Sequence, residues 1–203
     1  MSFTLVIDTA LAAQSLALLD GSTVIASRHG VIGRGHAEAL MPALAAVLDE
    51  AGVIPDAILV DVGPGSFTGL RIGIAAARAL GLAWDVPVAG YSSLALIAAP
   101  VFAAHSDERI AVVAEAGRGL LYVQMIDRDL VAHADVVALD AAAVFAWLVP
   151  GVALAGPGAE RVPGARVLAQ AWPDARDVYL LPAAAAALPP VPRYVSAPDA
   201  VAA

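Results

Sequence analysis

Among the 203 residues there is no cysteine and no lysine; all eleven basic residues are arginine. The absence of cysteine excludes disulfides, thiol catalysis and cysteine-based metal sites. Without lysine there is no P-loop lysine, no Schiff base and no Ser-x-x-Lys nucleophile. Aromatic residues make up 5% of the chain, and its net charge is −8 with a pI near 4.7. That balance argues against a self-sufficient nucleic-acid binder, because neutralising phosphates requires clustered positive charge. His29, His36, His105 and His133 are scattered and form no pair at helical spacing.

What the chain does have is apolar residues, 60% of the total, enough for a large core. The uncharged stretch 86–106 is interrupted by Pro87, Gly90, Ser92, Ser93 and Pro100 and is rich in alanine, so a membrane span is not expected. MSFTLVIDTA has no basic n-region and begins on a strand pattern, so a secretory signal is not expected either. The reading is a cytoplasmic protein.

The hydrophobic pattern predicts strands at 3–9, 15–19 and 23–27, a helix over HAEALMPALAAVLDEA, a strand at 57–62, a helix after GPGSFTG, and a strand in VPVAGYS. Pro42 is expected to bend or delay the first helix. The order recurs more faintly: strands at 110–116, 120–127 and 130–139, a helix in DAAAVFAWL, and a strand at 152–158 that ends in a second Gly-Pro-Gly. Asp8 and Glu115 close corresponding first strands. Such a duplication predicts an α/β protein of two RNase H-like lobes, each of βββαβα type, the actin, hexokinase and Hsp70 (ASKHA) architecture. The expected division is 1–107, carrying the two prominent helices, and a smaller degenerate lobe at 108–203 whose end is loosely packed.

GPGSFTGLRIG looks like a phosphate loop but lacks the Walker lysine. Gly63, Gly65 and Gly69 read G-x-G-x-x-x-G, one residue too long for a dinucleotide fingerprint. Gly63, Pro64, Gly65, Ser66, Thr68, Gly69 and Arg71 therefore read as a structural turn or a vestigial phosphate loop, together with Asp8 and Thr9 at the first strand's end. Ser66, Ser92 and Ser93 lack a complete nucleophile elbow, since Thr68 stands where its second glycine belongs. His36 is followed four residues later by Leu40 rather than by a second histidine, so no metal site is expected there.

The first N-terminal helix carries apolar residues on more than one side, which calls for two partners, and in the second Gly73, Ala77 and Gly81 recur every fourth residue in a row that would let another backbone approach closely. His36, Leu40, Met41, Leu44, Ala45 and Leu48 of the first, and Gly73, Ala77, Arg78 and Gly81 of the second, are the candidate partner interface.

LVIDTA, RGHAEALMPAL, GPGSFTGLRIGIAAARALG, VPVAGYSSL, EAGRGLLY and PRYVSAP together resemble the bacterial TsaB proteins, formerly called YeaZ. The likeness is strongest over 4–100. Glu115 stands where that family usually has Asp, and Ser196 where an Arg commonly follows Tyr-Leu. The resemblance implies a non-catalytic scaffold for the threonylcarbamoyl transferase TsaD in modification of tRNA beside the anticodon. It implies TsaE, an ATPase, and tRNA as partners through the complex, and a homodimer when TsaD is absent. No cofactor is required, with ATP or ADP at a partner interface as an option. The alternatives are a stand-alone actin-like ATPase or transferase, favoured by Asp8 and the intact GPG turn, and, behind it, a peptidase.

Overall fold

The computed structural model describes residues 2–132 and 134–195; His133 and Ser196 lie outside the described residues. The first half runs β1 (Phe3–Asp8), β2 (Ala13–Asp20), β3 (Thr23–Val31), α1 (His36–Ala51), β4 (Ala57–Asp61), α2 (Phe67–Trp84), β5 (Val88–Tyr91) and α3 (Ser93–Ala104). The second runs β6 (Arg109–Gly117), β7 (Leu120–Asp127), β8 (Val137–Leu139), α4 (Ala141–Trp147), β9 (Ala153–Ala155) and β10 (Val167–Ala169).

The two five-stranded sheets have orders β3-β2-β1-β4-β5 and β10-β9-β6-β7-β8. Substituting β6 for β1, and so on along the chain, converts one order into the other. In each sheet a meander of three antiparallel strands continues into two parallel ones. The fold is thus α/β with a duplicated RNase H-like unit. The duplication extends to backbone detail: Gly63 and Gly156, which open the two Gly-Pro-Gly turns, have φ of 106° and 107°. Past those turns the lobes diverge, the first continuing as an 18-residue helix and the second as a three-residue 3₁₀ turn (Ala159–Arg161).

Alternation along β1 divides the first lobe's core. Leu5 and Ile7 pack with Leu40, Leu44 and Val47 of α1 and Ile74 and Ala77 of α2. Val6 faces the other side, with Ala17, Leu19 and Leu96 of α3. Helix α1 begins after Gly35 and ends at left-handed Gly52, whose N–H bonds Leu48 O at 2.9 Å. It starts at His36, well upstream of Pro42, so the expected delay does not occur; the helix accommodates proline seven residues in.

Helix α3 has no counterpart among the sequence expectations. It is apolar on all sides because both lobes cover it: Leu94, Ile97 and Val101 pack on Ile110, Val112 and Ile126, while Leu96 and Ala99 pack on the first sheet. This explains the uncharged run as core. No helix among the described residues is long and apolar enough to cross a membrane. A second difference is at 130–139, where Val137–Leu139 is strand and the described residues before it meet the sheet through an isolated bridge, Ile126 to Ala132, and a bond from Gln124 Nε2 to Ala134 O.

The polypeptide after β10 returns to the first lobe. A 3₁₀ helix, Ala175–Leu180, sets Ala175 and Val178, with Leu181, against Val6, Ala17 and Leu19. Leu188 then exchanges two backbone bonds with Gly90, and Arg193 N–H bonds Val62 O at 2.8 Å, covering the edge of β5. The loosely packed end expected from the sequence falls in part on 196–203, outside the described residues; before it, Ala175, Val178 and Leu181 are packed in the core and Leu188 and Arg193 are held by backbone bonds.

Candidate functional site

The GPG turn sits where parallel strands β1, β4 and β5 end, and part of its backbone is bonded within its own chain. Ser66 N–H donates to Ala10 O at 2.7 Å, and Ser66 Oγ caps helix α2 by accepting from Gly69 N–H at 2.9 Å. Thr9 Oγ1 donates to Gly69 O at 2.8 Å. A Cβ at Gly69 would lie 2.0 Å from Thr9 O, and one at Gly65 2.5 Å from Ala10 O. These glycines let α2 approach the β1–β2 turn at backbone contact. Arg71 is drawn away from the turn: its guanidinium lies 3.5 Å from the centre of the Phe67 ring, and its Nε donates to Tyr194 Oη at 2.9 Å. Phe67 and Tyr194 stack at 5.1 Å.

Behind the turn is an acid cluster. Asp8, 0% exposed, accepts from Ala10 N–H at 3.3 Å and from the Tyr91 hydroxyl at 3.1 Å. Asp61 Oδ1 accepts from Gly63 N–H at 2.7 Å and Ser93 N–H at 3.1 Å, and Ser93 Oγ donates to Pro64 O at 2.9 Å. Asp61 thereby fastens the GPG turn to the start of α3. Burial pushes the Asp8 carboxyl up to about 7, with its hydrogen bonds opposing. Asp61 is raised well above the usual carboxylate range, first by burial and then by the charge of Asp8. The two carboxyls titrate as a linked pair, yet Asp61 Oδ2 is buried with no partner at hydrogen-bonding geometry. Burial, then the charge of Asp8, raises Tyr91 as well.

Glu115, at the corresponding strand end of the second lobe, is different in kind: it is exposed and 3.9 Å from Arg161. Sequence reading singled out Asp8, weighed Ser93 only as a nucleophile, and missed Asp61 and Tyr91. The available signal was that Asp61 also ends a buried strand, two residues before a turn glycine.

The predicted interface residues separate into two sets. Leu40 and Leu44 are core, Leu48 is half-buried, and His36, 7% exposed, donates from Nε2 to Leu11 O at 2.9 Å. Gly73, Ala77 and Gly81 face their own sheet: a Cβ at Gly73 would meet Thr9 Oγ1 at 2.5 Å, and one at Gly81 would meet Val88 Cγ2 at 2.4 Å. The outward set is Ala45, Arg78 and Met41, the last 56% exposed; Leu82, 86% exposed and absent from the predicted set, joins them. Helices α1 and α2 pack on the same core cluster, and these residues lie on their outward sides.

Another group unites serine, histidine and aspartate. Ser15 Oγ lies 3.0 Å from His29 Nδ1 and 3.4 Å from Asp174 Oδ1. In a catalytic triad the imidazole bridges serine and acid through its two different nitrogens. Here Asp174 Oδ2 is 3.8 Å from the same Nδ1, and Ser15 is buried while accepting Ala175 N–H at 2.8 Å. The group is a structural clasp.

The fold and site define a class: a duplicated RNase H-like protein that keeps acids at the strand ends but turns its phosphate-facing loop onto its own backbone. Comparison with known proteins gives the family. Residues 22–157 match the family described as TsaD: tRNA N6-adenosine threonylcarbamoyltransferase. The chain is 36% identical over 121 residues to the tRNA threonylcarbamoyladenosine biosynthesis protein TsaB of Bacillus subtilis (strain 168), covering 58% of this chain and 52% of that one. With the Escherichia coli (strain K12) protein of the same name it is 34% identical over 128 residues, 62% of this chain and 55% of the other. The matched stretches span about half the length of these curated relatives. The solved structure of YeaZ from Pseudomonas aeruginosa superposes with a TM-score of 0.78 at 30% identity, covering 96% of this chain and 100% of that one. The chain belongs to the TsaB (YeaZ) family.

Proposed function

We propose that this protein is a non-catalytic subunit of the machinery that makes threonylcarbamoyladenosine in tRNA, and that it docks a TsaD-type transferase through the outer surface of α1 and α2. The observation that carries the reading is the outward placement of Met41, Ala45, Arg78 and Leu82 on two neighbouring helices. Exposed apolar side chains on adjoining helices form a surface suited to helix-to-helix docking. The net charge of −8 supports reaching tRNA and a TsaE-type ATPase through the complex rather than alone. ATP or ADP then enters only at a partner interface, and the same α1/α2 surface pairs two copies when the transferase is absent. The cytoplasm is the compartment where such a complex meets tRNA.

Against a stand-alone ATPase stands the engagement of Ser66 and Gly69 amides with Ala10 and Ser66 itself. Against a peptidase stands the single-nitrogen geometry at His29. Calorimetric titration with the cognate transferase, with ATP titrated separately, tests the reading. Tight transferase binding without ATP heat is expected; ATP binding without transferase affinity overturns it.

A further inference from the structure

Between the lobes lies a cleft of about 810 Å³. On the first-lobe side it is lined by Gly63 and Pro64 of the GPG turn and by Ser92 and Ala95 at the start of α3. On the second-lobe side it is lined by Gln124 and Ile126 of β7 and by the segment that follows, and Leu188 and Arg193 of the returning chain complete the lining. Ile126, Leu130, Val136 and Leu188 give it an aliphatic stretch.

Gln124 is 9% exposed. Its carboxamide meets the backbone carbonyl of Ala134 at 3.0 Å, and because a carbonyl oxygen only accepts, Nε2 is the atom turned towards it. Oε1 is thereby fixed on the other branch, with no donor among the described residues. Unlike Asp61 Oδ2 it is not sealed in the core, so its remaining surface opens on the cleft that Gln124 lines, ready for a donor that enters there. Asp135 follows Ala134 in the chain and lines the same cleft; it is exposed and joins no hydrogen bond or ion pair among the described residues. A protein of net charge −8 draws cations to such a pair of acceptors. Arg193 lines the cleft from the first-lobe side, where its backbone N–H bonds Val62 O beside the GPG turn.

An ammonium group suits a nearly buried carbonyl next to an unpaired carboxylate, and an alkyl stem suits the aliphatic lining. We propose that this cleft binds a primary aliphatic monoamine, its ammonium on Gln124 Oε1 and the Asp135 carboxylate and its stem against Ile126, Leu130 and Val136. The same chemistry comes as a free amine or as the side chain of a lysine, a residue this chain does not contain. Arg193 selects against diamines, because a second ammonium at the far end of the stem meets a like charge. No residue of α1 or α2 lines the cleft, so failure of this proposal leaves the docking reading untouched.

The test is an amide NMR titration of the full chain with butylamine near neutral pH, where the amine is charged. Butanol, which lacks the charge, tetramethylammonium, which lacks the N–H groups, and the diamine of equal length are titrated at matched ionic strength. Saturable shifts at Gln124, Ile126 and Leu130 are expected with butylamine, none with butanol or tetramethylammonium, and binding at least about threefold weaker with the diamine. Asp135→Asn, at an exposed position without contacts to lose, is expected to weaken butylamine at least about fivefold, and Gln124→Met to abolish its binding. Nα-Acetyl-lysine methylamide separates the two sources: tighter binding than butylamine assigns the site to a lysine side chain, weaker binding to a free amine. No saturable shift with butylamine, an equal response to tetramethylammonium, or an affinity that Asp135→Asn leaves unchanged overturns the proposal.

Discussion

Ser15 and Ala175 meet across 160 residues of sequence: the Ser15 hydroxyl, on the second strand, accepts the Ala175 backbone N–H at 2.8 Å. The bond pins the returning C-terminal segment to the first lobe's sheet. Asp174 joins the clasp. Burial opposes its ionisation, but Arg176 more than offsets that and holds the carboxyl below the usual range. Ser15→Ala leaves a buried N–H without an acceptor, a loss of about 1–3 kcal/mol. Thermal unfolding should show the midpoint falling by several degrees, while a Ser15→Ala protein with unchanged stability would show that the segment is held by Val178 and Leu181 alone.

How much of this was legible depends on the kind of signal each residue carried. The duplication was readable because buried strands and helical stripes such as Leu40, Leu44 and Val47 have periods set by local geometry. Helix α3 was not, since a segment apolar on every side has no period to read, and its two coverings come from residues far away in the chain. Nor does a row of small residues declare which backbone it admits: Gly73 and Gly81 admit β1 and β5 of their own sheet. The clasp of Ser15, His29 and Asp174 was likewise invisible, being made by a chain return that no spacing encodes.

The linked pair Asp8 and Asp61 gives stability an unusual pH dependence. Asp8 titrates near 3.8 when exposed and at about 7 when folded, so between these values the folded state holds a proton that the unfolded state has released. The contribution of this pair is therefore fully present below about pH 4 and declines as pH rises towards 7, by up to about 1.4 kcal/mol per pH unit for each carboxyl so held. Asp61→Asn removes one of these acids and its charge from beside Asp8, so its denaturant-derived stability should fall less steeply over pH 4.5–7. Equal slopes in the two proteins would show that Asp61 does not share the proton.

Contact between α2 and the β1–β2 turn predicts a graded cost for adding one methyl group. At Gly69 the new Cβ would meet a backbone carbonyl, Thr9 O, at 2.0 Å, whereas at Gly81 it would meet the tip of the Val88 side chain at 2.4 Å. A side chain gives way more readily than a strand end. Gly69→Ala should cost at least about 1–3 kcal/mol by chemical denaturation, and Gly81→Ala less. The reverse order would mean that α2 moves as a body at its N-terminal end and is fixed at its C-terminal end.

The separation of inward from outward residues on the helices sharpens the docking test. Leu40→Asp and Leu44→Asp bury a carboxylate in the core, so loss of binding would report unfolding and say nothing about a partner. Met41→Asp and Leu82→Asp change residues that are 56% and 86% exposed, and should alter stability by no more than about 0.5 kcal/mol. If the outer surface is where the transferase docks, the double variant should weaken binding at least about tenfold in calorimetry, a threshold equal to 1.4 kcal/mol. Elution volume across the micromolar range supplies the second readout, because a copy-to-copy dimer through the same surface should become monomeric in that variant. A folded variant that still binds the transferase at full strength would place the docking site elsewhere, with the Phe67, Arg71 and Tyr194 cluster at the start of α2 as the next surface to alter.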